Sequence, residues 1–494
     1  MDMWIFARRL AAAGVLILAA GCSSIFDAHS RKETFRNHYY QGNYPMAETE
    51  LWQKVSSDHG SGDEVMWMLE AGSFYFLTGN TGRAAVCFDV ADVLIEDFDR
   101  RAVVSARDAA GEVGSAFTNP AAVAYRGLYR DRVLLPVYAG FNCLAAGDDV
   151  NFSAYVNRMR DAMEQVQQVY AWDIEQEKKS SENYEKQNAE TIKKSGMTED
   201  TIRSKLDQSA EFKQSEEALA AAARPEYGNF LNPLAIFISG MMYWRDNQAD
   251  NALIEFKRLY DAMPQDPLAR KLYVTALRRN RAEVPPALAN VKPYDFPVAS
   301  DVVYVVFANG RCADYKQITV HMVLPTGYSG FAYPTCEYYP APFPQLEVTA
   351  GGRSAKTEIL ADMDAVASNE YNARKTAMVT RIVISFLVKE ATTAAAAIVA
   401  HETGNDWAAV GAIAAASVYK FAFNTADTRC WELLPKQYQL AILPMPADRK
   451  MTFTLPGVKL PQAVFPPGCR SAIVLVTAAN AATTGVKVLP FSDK

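Results

Sequence analysis

With 494 residues, 50% hydrophobic and 21% charged, the chain carries enough apolar material for about two to four folded domains, which excludes a disordered protein. Fifty lysines and arginines against 56 acids leave a net charge of −6, and no basic tract occurs, which excludes a nucleic-acid footprint.

The chain opens MDMWIFARRLAAAGVLILAAGCSS. Arg8 and Arg9 form a positive segment, Leu10 to Ala20 an apolar run too short to span a bilayer comfortably, and Ala19-Ala20-Gly21 a small-residue cleavage site before Cys22. This resembles a bacterial lipoprotein signal over residues 1–21, in which Cys22 is acylated and becomes the first mature residue. It departs from the usual pattern in having Ala19 where leucine is common, with Leu18 adjacent. Ser23 in place of aspartate favours the outer membrane. The competing reading is an ordinary secretory signal with a chance cysteine.

Residues 22–33 read as a polar tether that lets a lipid-anchored body stand off the membrane. Six further cysteines fall evenly, Cys87 and Cys143 in the first half, Cys312, Cys336, Cys430 and Cys469 in the second. In an exported chain this suits disulfides within each half. The expected bonds are Cys87–Cys143, Cys312–Cys336 and Cys430–Cys469, the last two because each closes a loop of moderate length. Cys87, within AAVCFDVAD, reads equally well as a buried thiol.

Residues 34–283 follow a helical pattern with an internal repeat. MLEAGSFYFLTGNTGRAAVCFDVAD places Gly72, Tyr75, Gly79, Ala84, Phe88 and Ala91 at the spacing of a tetratricopeptide (TPR) unit, where small residues let paired helices approach and aromatics fill the gap. ISGMMYWRDNQADNALIEFKRLYDAMP repeats the scheme with Gly240, Tyr243, Ala252, Phe256 and Pro264; QGNYPMAETEL and the segment around Gly147 are weaker copies. A non-repeating helical bundle is the alternative, but only a superhelix offers a continuous concave groove. Within this region, residues 155–223 are polar and lack an apolar heptad, so they predict a projecting pair of solvated helices, broken at Gly196 and restarted by Thr198-Glu199-Asp200. A partner-binding arm is the functional alternative.

Pro285, Pro286, Pro293 and Pro297 mark residues 284–298 as a domain linker. Beyond it, residues 299–494 change period to strands: DVVYVVFANG, YKQITVHMVLPT, a hairpin turning at Gly351-Gly352, YQLAILPMP, RKMTFTLPG, SAIVLVTAA and GVKVLPF. Between them, residues 361–424 predict a helical hairpin broken at residues 401–406, whose apolar arms are interrupted by Lys389, Glu390 and Lys420, which favours a packed insert over membrane spans. The fold class is α+β: a helical-repeat, TPR-like domain followed by a mainly antiparallel β domain carrying an inserted helical hairpin. Trp431, beside Cys430, is expected at the junction of helices and sheet.

Chemistry is sparse. His401-Glu402 lacks the second histidine of a zinc-protease helix, TGYSG at 326–330 has the wrong spacing for a nucleophile elbow and reads as a turn, and Ser417-Val418-Tyr419-Lys420 matches S-x-x-K without its companion motifs. No metal ligand set, cofactor or catalytic residue is expected. Asp362, Asp364, Asp427 and Arg429 form a polar set that could converge in a cleft, with an interdomain ion-pair network as the simpler reading.

The lipoprotein signal, the ISGMMYW-type helix, the proline linker and the segments DMDAVA, VTRIV and DTRCWELLP together resemble an uncharacterised family of bacterial TPR-containing lipoproteins. The resemblance implies neighbouring small lipoproteins similar to activators of peptidoglycan synthases, hence an envelope-assembly role, and implies no catalytic residue. The expectation is a protein-interaction scaffold anchored by lipid to the periplasmic face of the outer membrane. An envelope enzyme using carboxylates near Asp362, Asp364 or Asp427, and a component of a secretion or flagellar assembly, are the alternatives.

Overall fold

The computed structural model describes residues 27–108, 123–195, 198–228, 231–324, 327–402 and 425–492. The helical part contains α1 (Ala28–Arg31), α2 (Glu33–Tyr40), α3 (Tyr44–Ser57), α4 (Glu64–Thr78), α5 (Thr81–Asp108), α6 (Tyr129–Ala145), α7 (Asp149–Ser195), α8 (Glu199–Gln208), α9 (Ala210–Ala222), α10 (Pro233–Arg245), α11 (Ala249–Ala262) and α12 (Pro267–Arg279). Connections of two or three residues join α4 to α5, α6 to α7 and α10 to α11, which forces each pair to run antiparallel. Local chemistry sets the ends. Gly79 takes φ +93° to close α4, Asn80 accepts the Arg83 amide at 3.1 Å to open α5, and Asn232 and Asp266 cap α10 and α12 immediately before a proline.

The repeat spacing is a packing device. Gly72 and Gly240 each precede an alanine by twelve residues and a phenylalanine by sixteen (Ala84 and Phe88, Ala252 and Phe256), and both alanines are fully buried. A Cβ on Gly240 would lie 2.6 Å from Phe256 Cζ, and one on Gly72 would meet Phe88 as closely. The glycines are therefore the sockets into which the second helix inserts its ring.

Strands β1 (Val302–Asn309), β6 (Glu358–Asp362), β7 (Gln437–Pro444), β10 (Ser471–Ala478) and β11 (Thr484–Pro490) form a central sheet of order β11-β10-β1-β7-β6. Only β1 and β10 pair in parallel within it. β1 is buried along its whole length because its two faces serve different cores: Tyr304, Val306 and Ala308 pack toward the helices, while Val303, Val305 and Phe307 pack toward a second sheet. That second sheet, order β5-β4-β8-β9, comprises β4 (Glu347–Ala350), β5 (Arg353–Lys356), β8 (Lys450–Thr454) and β9 (Ala463–Val464). β4 and β5 turn at Gly351-Gly352, both at positive φ, as a two-residue hairpin requires. The result is three layers, helices on sheet on sheet.

The first helix of each antiparallel pair is buried on nearly all sides, because α6 and α10 meet the chain's own sheet and α4 meets the 425–436 segment that leads into it. Tyr138 of α6 meets Tyr438 of β7 hydroxyl to hydroxyl at 2.9 Å, and Phe237 of α10 packs edge-on against Tyr304 of β1. Trp431 lies at the junction as expected, donating from Nε1 to Ser73 Oγ at 2.9 Å.

Several boundaries differ from the sequence reading. Of the 22–33 tether, residues 27–33 are not a free spacer: Asp27 caps α1, Ala28 is buried and Lys32 is 0% exposed. The 284–298 segment is a strap bound to the helical layer. Leu288, between its prolines, and Val298, just after the last of them, are buried, and the Tyr294 amide donates to Thr275 Oγ1 at 3.2 Å.

The 155–223 arm is not a solvated pair. α7 is one 47-residue helix, about 70 Å long at 1.5 Å per residue, packed along α13 (Met363–Glu402). Ile202, Leu206 and Phe212 of α8 and α9 share a core with Val383, Phe386 and Leu387 of α13 and with the hairpin of β2 (Asp314–Leu324) and β3 (Gly327–Glu337). Polar residues at Glu177 and Ser181 interrupt the contact line on α7, which is why no heptad was visible. β3 also absorbs Gly327 to Gly330, read from sequence as a turn. α13 is the expected first arm of the helical insert between β6 and β7; its break and second arm, with Ser417 and Lys420, lie outside the described residues.

No disulfide joins the six cysteines of the described residues. The expected Cys430–Cys469 bond conflicts with the layering, since Cys430 lies in the core on the helical face of the central sheet and Cys469 in the core on the other face. Cys312 directs its sulfur to the Met363 carbonyl at 3.5 Å, not to Cys336. Cys87 is a buried thiol, and burial pushes both it and Cys143 up to about 11, so neither ionises at neutral pH.

In an open helix, Gly→Ala stabilises by about 1 kcal/mol. Here the sign should reverse: Gly240→Ala is expected to destabilise by about 1–3 kcal/mol in urea unfolding, with partial recovery in Gly240→Ala/Phe256→Leu.

Candidate functional site

His29, Lys32 and Arg36 recur at three- and four-residue intervals, so one face of the α1–α2 segment carries all three. That face enters a seam between α4, the 425–436 segment and the base of the β2–β3 hairpin. Lys32 Nζ lies 2.9 Å from Glu70 Oε1 and 3.4 Å from Glu432 Oε1, and donates to the Cys430 carbonyl. Glu70 in turn accepts the Glu432 amide at 2.7 Å and the Leu433 amide at 3.2 Å. Arg36 donates to Glu432 Oε2 at 2.9 Å. Arg311 donates to Asp314 and stacks 3.8 Å from the ring centre of Tyr339, whose hydroxyl lies 2.8 Å from Glu337 Oε2. Lys316 pairs with Glu337 at the rim at 2.9 Å.

His29 sits at the centre, its backbone amide donating to Thr428 Oγ1 at 3.1 Å. Nδ1 faces Asp314 Oδ1 at 3.7 Å and Glu432 Oε1 at 4.0 Å, and Nε2 faces Glu337 Oε2 at 3.8 Å. The Arg36 guanidinium approaches both ring nitrogens, at 3.2 and 3.1 Å, which places it across the ring.

His29, Asp314 and Glu432 bring one donor atom each within 4.8 Å of one another, a spacing compatible with a divalent ion. The surroundings argue against that use. Lys32, Arg36 and Arg311 already balance Glu70, Glu432 and Asp314 with His29 neutral, so a dication would leave two buried positive charges uncompensated. With Asp314 ionised, the arrangement is an electroneutral ion-pair lock.

Its titration follows from position. Burial and the Glu432 charge push Asp314 up to about 7 against the pull of Arg311 and Arg36. Burial alone would raise Glu432 too, but Lys32, Arg36 and Arg311 outweigh it and hold the carboxyl at about 2. His29 is lowered, chiefly by burial, with Glu432 opposing. Asp314 is thus the member of the lock that changes charge near neutrality.

A second buried centre lies at the start of α6. Glu370 of α13 accepts the Tyr129 amide at 2.7 Å and the Tyr170 hydroxyl, and its other oxygen lies 3.7 Å from Arg130, placing a carboxylate on a helix N-terminus. Asp131 accepts from Tyr125 and from the Leu128 amide at 3.0 Å, and burial pushes it up to about 6.

The four residues singled out from sequence do not form one cleft. Asp362 caps α13, accepting from Asp364 and Ala365 amides at 3.1 and 3.3 Å, and lies 3.5 Å from Arg224. Asp364 pairs with Lys436 and accepts the Ala313 amide at 2.7 Å. Asp427 pairs with Arg429, which also donates to Asp63 at 3.0 Å and to the Val123 carbonyl at 2.7 Å. Each carboxylate is held by a cation. His29, Lys32, Glu70, Asp314 and Glu432 escaped the sequence reading, because contacts such as Lys32 with Glu432 span about 400 positions; the one local signal was the basic i, i+3, i+7 face of the α1–α2 segment.

Neither family models, nor curated proteins, nor solved structures yield a match to this chain.

Removing one partner of the lock leaves a buried charge without compensation. Lys32→Met is expected to cost about 3–5 kcal/mol in chemical denaturation, with much of the loss recovered in Lys32→Met/Glu70→Gln. Because Asp314 has a folded pKa near 7 against an ordinary value of 3.8, its contribution is complete below the unfolded value and is lost as pH rises toward 7. His29 acts oppositely, its lowered pKa removing stability as pH falls through 6.5. In melting scans from about pH 4 to pH 8, Asp314→Asn should therefore remove a decline that the parent shows on the way up to neutrality.

Proposed function

We propose that the chain is an exported lipoprotein, acylated at Cys22 and held at the periplasmic face of the outer membrane, that serves as a protein-interaction scaffold in envelope assembly. Its helix pairs are read as degenerate tetratricopeptide units, supported by the matching glycine, alanine and phenylalanine sockets. The observation that carries the scaffold reading is the division of labour within the pairs. The inner helices are taken up by the chain's own sheet, so the groove such repeats usually offer to a partner already holds an internal ligand. The outer helices expose large apolar side chains: Met46 and Trp52 on α3, Val86 and Val93 on α5, Val150 on α7 and Ile254 on α11. Trp52 is 54% and Val93 64% exposed.

Beside them, Thr81, Asp89, Asn142, Tyr155 and Arg158 help line a cleft of about 520 Å³ between α5, α6 and α7. This outer surface is where a partner would bind. The enzyme reading based on Asp362, Asp364 and Asp427 loses support, since all three carboxylates are neutralised by Arg224, Lys436 and Arg429.

A photo-crosslinking residue at Trp52 or Val93 should give discrete protein adducts in native envelopes, reduced at least several-fold by Val86→Asp in the same chain. Absence of adducts at both positions, with the protein folded and membrane-bound, would overturn the scaffold reading.

A further inference from the structure

Cys22, proposed above as the acylation site, stands close in sequence to α1, the first helix of the described residues. Asp27 caps α1 by accepting the Ser30 amide at 2.7 Å, and from there the chain is locked into the body. His29 binds Thr428, Arg31 pairs with Asp58 and Asp63, and Lys32 is fully buried against Glu70 and Glu432. Cys22 and Asp27 are five residues apart. Whatever path those residues take, they reach at most about 18 Å at 3.3–3.6 Å per residue.

We infer that the face around α1 lies directly against the lipid headgroups, so that the body is held at the membrane surface in a fixed orientation. The inference rests on acylation of Cys22, and the occupant of this face is the bilayer carrying that anchor. Two ion pairs of Arg31, the His29 amide bond to Thr428 and a buried lysine fix α1, so α1 cannot peel away to lengthen the leash without breaking the lock. The apposed rim comprises the loop after α3 with Asp58, His59 and Gly60, Val123, which is held through its carbonyl by Arg429, and Lys316 at the base of β2.

His59 is 79% exposed and Val123 is an exposed apolar side chain, both compatible with an interfacial position. The four-stranded sheet, with exposed Val464 on β9, occupies the opposite side of the central sheet from the helices. The base of the β2–β3 hairpin, which packs with α13, α8 and α9, borders the α1 dock.

The test uses the full chain, processed in a bacterial host and reconstituted into phosphatidylethanolamine/phosphatidylglycerol vesicles carrying an acceptor lipid. A genetically encoded fluorophore replaces His59 or Val464. Energy transfer to the lipid is expected to be at least twofold stronger from position 59 than from position 464. Inserting twenty Gly/Ser residues after Ser24, with a root-mean-square span of about 25 Å, should lower transfer at position 59 by half or more without releasing the protein. Equal transfer from both positions, or no change on insertion, would overturn the apposition while leaving the anchor intact. The mass of the mature N-terminal peptide reports acylation separately: an unmodified Cys22 would overturn the anchor itself, and with it this inference.

Discussion

One lysine joins the three parts of this molecule. Lys32 extends from the junction of α1 and α2 into a seam where Glu70 of α4 and Glu432 of the segment before β7 converge on it, with no water-exposed surface left to its side chain. Each carboxylate has a second duty. Glu70 ties down the backbone of 432 and 433, and Glu432 receives Arg36. A buried charge set of this kind adds little net stability compared with an apolar seam, because desolvation consumes most of the Coulombic gain. Its effect is on specificity, since only the native docking of α1, α4 and the 425–436 segment brings every charge to a partner.

That docking explains why the helices and the sheets form one body. A stack of antiparallel helix pairs has an inner face that must be covered, and a sheet with β-branched residues on both faces must be covered twice. Here each meets the other's need: Tyr138 and Phe237 press onto Tyr438 and Tyr304, and the far side of the same strands packs on β4 and β8. Trp431 fills the angle between the layers, its ring 5.1 Å from that of Tyr138 and its indole nitrogen bound to Ser73. The long arm repeats the principle on a smaller scale. The polar helix α7 would not be stable at its length in isolation, but α13 and the β2–β3 hairpin supply the apolar surface it lacks.

The parts of this architecture that local pattern controls were legible. Alternating and continuous apolar runs marked β1, β2, β7, β8, β10 and β11, and Gly351-Gly352 marked a hairpin because only glycine tolerates that backbone cheaply. Gly72 and Gly240 pointed to close helix contacts, and the ring distances bear that reading out. Polarity in the sequence does not mean exposure here. The 27–33 segment, the proline strap and the α7 arm are polar or irregular in sequence, yet each is packed, because Lys32, Leu288 and Tyr184 find partners far along the chain.

From its residues alone the chain determined the order and type of most elements, the division into helical and strand-rich halves, and the spacing of the glycine sockets, since these depend on backbone preferences and on side chains a few positions apart. Tertiary structure alone decided that the inner helix faces are filled by the chain's own sheet, that Asp362, Asp364, Asp427 and Arg429 go to separate partners, and that His29, Lys32, Arg36, Glu70, Arg311, Asp314 and Glu432 form one lock. The physical reason is that a buried charge is tolerable only beside its counter-charge, and which counter-charge arrives is settled by how the layers close, across separations in sequence that no local pattern records.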